Sequence, residues 1–98
     1  MKVLGLKNII REEGVIYYRK VFTAIAEIEL PLKTIETPIS FIIEMNPLGE
    51  KFIDIRFLES IEYPTLPITK LLREIINQQD YEGKLLWLLY KQNPPRKL

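Results

Sequence analysis

Apolar positions follow a two-residue period through the middle of the chain and a helical period after Pro67. From Tyr18 onward the even positions read Tyr18, Lys20, Phe22, Ala24, Ala26, Ile28 and Leu30, while the odd positions are mostly polar. That alternation predicts a half-buried strand within residues 15–30, ended by Pro31. Lys20 interrupts the apolar face near its start, and the small Ala24 and Ala26 leave room there for a helix to cross the sheet closely.

Residues 31–38 read as a connector, followed by a hairpin from Pro38 to Leu58. Its turn is Asn46-Pro47-Leu48-Gly49, with Asn, Pro and Gly at the positions that suit a type I turn. A left-handed Gly49 would make this a three-residue loop with a bulge. Ile43 then faces Ile53, Phe41 faces Ile55 and Ile39 faces Phe57. A one-residue slip would put Phe41 against Asp54 and scramble the apolar face. The other face carries Ile42 and Phe52 among polar residues.

Pro67 suits the first position of a helix over 67–79 and pushes Leu66 toward an extended conformation. Ile68, Leu71, Leu72, Ile75 and Ile76 form one stripe, of the width that lies on a sheet. Two segments admit either state. Residues 1–14 fit a short helix capped at Gly14 or a strand at Lys7–Arg11, with the strand favoured by the β-rich sequence that follows. Residues 84–91 lack β-branched side chains, which tilts them to helix with Asp80 as a candidate N-cap, but a buried strand also fits. The expected architecture is α+β: a small antiparallel sheet of three to four strands with one amphipathic helix on one face, and an ambiguous C-terminal helix or strand. It makes one domain over residues 1–92, with a flexible tail at 93–98.

Composition narrows the chemistry. The 98 residues contain no cysteine and no histidine. Disulfides, thiolate nucleophiles, zinc sites of the usual kind and the commonest general acid–base group are therefore excluded. The four glycines are too dispersed for a phosphate loop. Glu44, Asp54, Glu59 and Glu62 are the carboxylates considered for an acid–base or cation pair, and a solvated charged face explains them better. No catalytic residue, metal or cofactor is expected. The net charge of +1 argues against general polyanion binding. Residues 36–66 sum to −4 and residues 67–98 to +3, an asymmetry that suits internal pairing or a charged interface. No apolar run is long enough for a membrane span or signal peptide, and a cytoplasmic location is expected.

Four residues remain as candidate interaction positions. Tyr17 and Arg19 place an aromatic beside a cation, as nucleic-acid-binding sheets do, yet RRM and KH signatures are absent. The arginine spacing and serine turn of PilZ domains are missing as well. Trp87 and Leu88 lie in an apolar run that would serve either as core or as an anchor for a partner. The expected function is a non-enzymatic protein-interaction or regulatory module, with self-association into a homodimer as the favoured mode. The alternative is a small-ligand or nucleic-acid binder using Tyr17 and Arg19.

Overall fold

The structure is a computed structural model, described here for residues 1–12, 18–83 and 85. Four strands, β1 (Lys2–Arg11), β2 (Arg19–Glu29), β3 (Thr34–Met45) and β4 (Lys51–Phe57), precede one helix, α1 (Thr65–Tyr81). The strands pair in chain order as an antiparallel meander, β1-β2-β3-β4, and α1 packs on one face. This is the expected α+β fold, at the four-strand limit.

The central hairpin has the register read from the sequence: Ile43 pairs with Ile53, Phe41 with Ile55 and Ile39 with Phe57. Gly49 has φ of 84°. Its N–H donates to the Asn46 carbonyl at 2.9 Å, and the Asn46 side-chain oxygen accepts from Leu48 N–H at 3.0 Å and Glu50 N–H at 2.9 Å. Phe22, Ala24, Ala26 and Ile28 of β2 are buried on the same face, and Phe22 stacks on Phe41 with ring centroids 4.9 Å apart.

β1 is a strand, longer than expected, and its inward positions do not alternate. Register shifts occur between Val3 and Gly5 and between Lys7 and Ile10, the second containing Asn8 with φ of 53°. Asparagine is among the few residues that tolerate this left-handed conformation. The two irregularities turn Val3, Leu6 and Ile9 inward at a spacing of three.

β3 starts at Thr34, so the connector from β2 is shorter than expected and Pro38 lies inside a strand. The physical reason lies in the ladder. Leu30 N–H donates to the Lys33 carbonyl and Met45 N–H to the Tyr18 carbonyl. These bonds make the odd residues of β3 the ones that exchange hydrogen bonds with β2. Pro38 therefore lacks a donor only on the β4 side, where pairing ends with Leu58 N–H on the Pro38 carbonyl.

Helix α1 begins two residues earlier than expected, so Leu66 is helical and Pro67 is the third residue. Proline is tolerated there because first-turn N–H groups have no intrahelical acceptor. No side-chain cap and no acidic first turn support this end. Burial holds the helix instead, with Ile68, Leu72 and Ile76 fully enclosed.

The closest backbone approaches of α1 are to the edge strands β1 and β4, not to β2 or β3. The close crossing expected over Ala24 and Ala26 is therefore not what those residues provide. They line the middle of a sheet curled toward the helix, where a concave surface has little room for large side chains. Arg73 Nε donates to the Ile53 carbonyl at 3.2 Å, covering part of the β4 edge. Lys51 Nζ meets Asp80 Oδ2 at 2.8 Å, supplying a cation to a last helical turn that has no basic residue of its own. Asp80 thus belongs to α1 and does not cap a following helix. Gly83, with φ of 74°, follows the helix end, and Leu85 is helical and buried in the core. The remainder of the 84–91 run and the expected tail at 93–98 lie outside the described residues.

Candidate functional site

Because α1 covers one face, the side chains pointing the other way decide what the sheet can bind. Outward residues align across strands in rows. One row holds Lys7, Ile25 and Pro38, with Leu58 bonded beside Pro38, and the next holds Ile10, Thr23, Ser40 and Arg56. A third places Val21 beside Ile42 and Asp54. Between the first two rows lies a shallow groove of about 380 Å³, lined in part by Asn8, Ile10, Thr23, Ile25, Pro38 and Leu58. Ile10 is 54% exposed and Leu58 is 55% exposed, values that mark an apolar strip without a cover among the described residues. Phe52 extends the apolar surface at the hairpin end.

Charges frame this strip. Glu27 and Glu36 sit directly opposite each other on β2 and β3, a repulsive cross-strand pair. Lys7 reaches over from β1, with Nζ 2.5 Å from Glu36 Oε1 and 3.8 Å from Glu27 Oε1. The hydrogen bond to Glu36 is the main cause holding the Lys7 pKa above its ordinary 10.5, reinforced by the charges of both carboxylates against a small opposing desolvation. Toward the hairpin end, Arg56 pairs loosely with Asp54 at 3.5 Å, and Arg19 faces Glu44 across the strands.

Of the interaction residues named from the sequence, Arg19 is exposed at the start of β2. Tyr17, Trp87 and Leu88 lie outside the described residues, so no Tyr17–Arg19 surface is described. Tyr18, expected on the core face, is 60% exposed beside Glu44, Met45, Asn46 and Pro47. It precedes β2, beyond the last fully enclosed row of the core, where parity no longer implies burial. The apolar set expected on the second face is there: Ile25 and Ile42 are half-buried and Phe52 is exposed. Ile10 and Leu58 were not legible as members of it. The β1 bulge sets the direction of Ile10, and Leu58 follows the last paired residue of β4.

Among the described residues there is no group of three or more carboxylates placed to hold a metal ion. Glu44 and Asp54 lie in adjacent rows of the open face, whereas Glu59 and Glu62 line a separate cleft. No described helix is long and apolar enough to cross a membrane.

No curated protein and no solved structure matches the chain. A family model does match, over residues 1–80, which span all four strands and nearly all of α1. The chain belongs to the BB_0187 family.

Proposed function

We propose that this chain is a non-enzymatic interaction module, acting in the cytoplasm, that self-associates through the open face of its sheet. The observation that carries the reading is the apolar strip Ile10–Ile25–Pro38–Leu58, exposed on the face opposite α1. Four strands about 4.8 Å apart and seven residues long present roughly 450 Å² in projection. Side-chain relief enlarges that area toward the roughly 800 Å² per partner of a stable interface. Sheets pack face to face through such surfaces, with inner side chains interdigitating. A two-fold dimer would lay the strip on its own copy. The edges are less suited to pairing, since β1 is bulged and Arg73 covers part of β4. The lack of histidine and cysteine supports a non-enzymatic role, and the lack of cysteine fits a reducing compartment.

Light scattering at micromolar concentration tests the proposal and should return twice the chain mass. Ile10→Glu and Ile25→Lys should each return one chain mass with unchanged circular dichroism. A parent protein that stays at one chain mass overturns the proposal. So does a dimer lost on changing Trp87 and Leu88 to glutamine but kept in both sheet variants, because the interface would then lie elsewhere.

A further inference from the structure

At the end of the sheet away from the β3–β4 hairpin, β3 continues past the end of its pairing with β4. The ladder between them runs from Met45–Lys51 to Ile39–Phe57 and closes with Leu58 N–H on the Pro38 carbonyl. Residues 34–37 of β3 continue beside β2 alone. Glu27 and Glu36 are a non-hydrogen-bonded pair in the register of the β2–β3 ladder. The backbone N–H and C=O of Glu36 therefore point away from β2, toward the side that β4 has left. No paired strand residue meets them there.

A cleft of about 330 Å³ opens at this place. Its walls are the Leu30–Lys33 turn and the loop from Glu59 to Glu62, and Ile35, Glu36 and Thr37 lie between them. Glu59 and Glu62 are exposed on the loop, while the Glu36 carboxylate is held by Lys7. Thr37 is 3% exposed, and its Oγ1 has no hydrogen-bond partner. A buried hydroxyl left in that state costs about 1–3 kcal/mol. Lys33 is the single basic residue among the described lining, against three glutamates.

We infer that this cleft receives an extended peptide segment of a partner protein carrying lysine or arginine. The segment adds to the free stretch of β3, exchanging backbone hydrogen bonds with Glu36. Its cationic side chain lies against Glu59 and Glu62, and a polar group of the segment satisfies Thr37 Oγ1. Strand addition draws affinity from main-chain bonds and specificity from alternate side chains, and this site offers both. The acidic rim selects against polyanions by like-charge repulsion. The cleft is separate from the groove on the open face, so it can be occupied in a monomer or a dimer.

Fluorescence anisotropy with a dye-labelled acetyl-Val-Lys-Val-Lys-Val-amide peptide on the full chain tests this. The same peptide with glutamate for lysine, and one with N-methylated backbone amides, are the controls. Saturable binding of the lysine peptide is expected, with about tenfold or greater weakening by either control. Glu59→Lys with Glu62→Lys should weaken it comparably. Thr37→Val, which changes no charge, should also weaken it, separating a seated peptide from diffuse attraction to an acidic surface. Ile10→Glu should leave the affinity unchanged, which distinguishes this site from the self-association surface. Equal binding of the glutamate peptide overturns the inference. So does absence of saturable binding, or binding indifferent to both N-methylation and Thr37→Val.

Discussion

Replacing Gly49 by valine isolates the energy of one backbone conformation. A Cβ built on Gly49 meets nothing within 4 Å, so the substitution produces no overlap with the rest of the molecule. What remains is φ of 84°, a region that β-branched residues strongly disfavour. The turn cannot escape by changing type without breaking Asn46, whose side-chain oxygen holds the N–H groups of Leu48 and Glu50. Nor can it shift register, because a one-residue slip would bring Asp54 opposite Phe41 on the buried face. The strain is therefore retained, at about 1–3 kcal/mol. For a domain of this size, each kcal/mol corresponds to about 4–8 °C in Tm, giving a fall of roughly 4–24 °C.

The assay is thermal unfolding by circular dichroism, with urea unfolding as a second measure of stability. Gly49→Asn is the informative companion, since asparagine is several-fold enriched in the left-handed region. It should lose clearly less than Gly49→Val. A valine variant as stable as the parent would refute the positive-φ argument. Equal losses from the two substitutions would show that the side chain matters for some reason other than backbone preference.

Leu72→Ala should cost about 2–5 kcal/mol, because Leu72 is fully buried between helix and sheet, and Lys70→Ala should stay within about 0.5 kcal/mol. Equal losses in urea unfolding would refute the packing assignment. Lys7→Gln should destabilise the protein by leaving Glu27 and Glu36 face to face, and the difference from the parent should shrink in high salt. The Lys7 pKa is raised on folding, so its contribution is complete below 10.5 and fades as pH rises through the higher folded value. Unfolding curves of parent and variant should therefore converge at strongly alkaline pH, and a gap that widens there would refute the assignment.

The parts of the fold legible in the sequence are those where two independent signals agree. In the central hairpin, turn chemistry and the apolar pairs Ile43–Ile53 and Phe41–Ile55 select the same register. In α1, one stripe of aliphatic residues suffices. β1 was ambiguous for a structural reason: its bulges place Val3, Leu6 and Ile9 inward at a spacing of three, which imitates the period of a helix. The same device turned Ile10 outward, so a residue of the open face was hidden along with the strand. The start of α1 was misplaced because Pro67 is acceptable anywhere in the first turn, and no capping side chain marks the boundary.

Pro38 shows how a local signal can be read correctly in chemistry and wrongly in place. Its missing N–H suggested the border between connector and strand, yet Thr34 to Met45 is one strand. Whether a proline interrupts a sheet depends on which neighbour would have received its hydrogen bond, and that is a property of the ladder rather than of the residue. Here the donor is missing only toward β4. Pairing with β2 continues through Pro38, while pairing with β4 ends there. The resulting difference in strand length leaves the outward backbone groups of Glu36 without a neighbouring strand beside the Glu59–Glu62 loop. A residue that reads in one dimension as the end of a strand thus creates, in three, the step in the sheet where a further strand can be added.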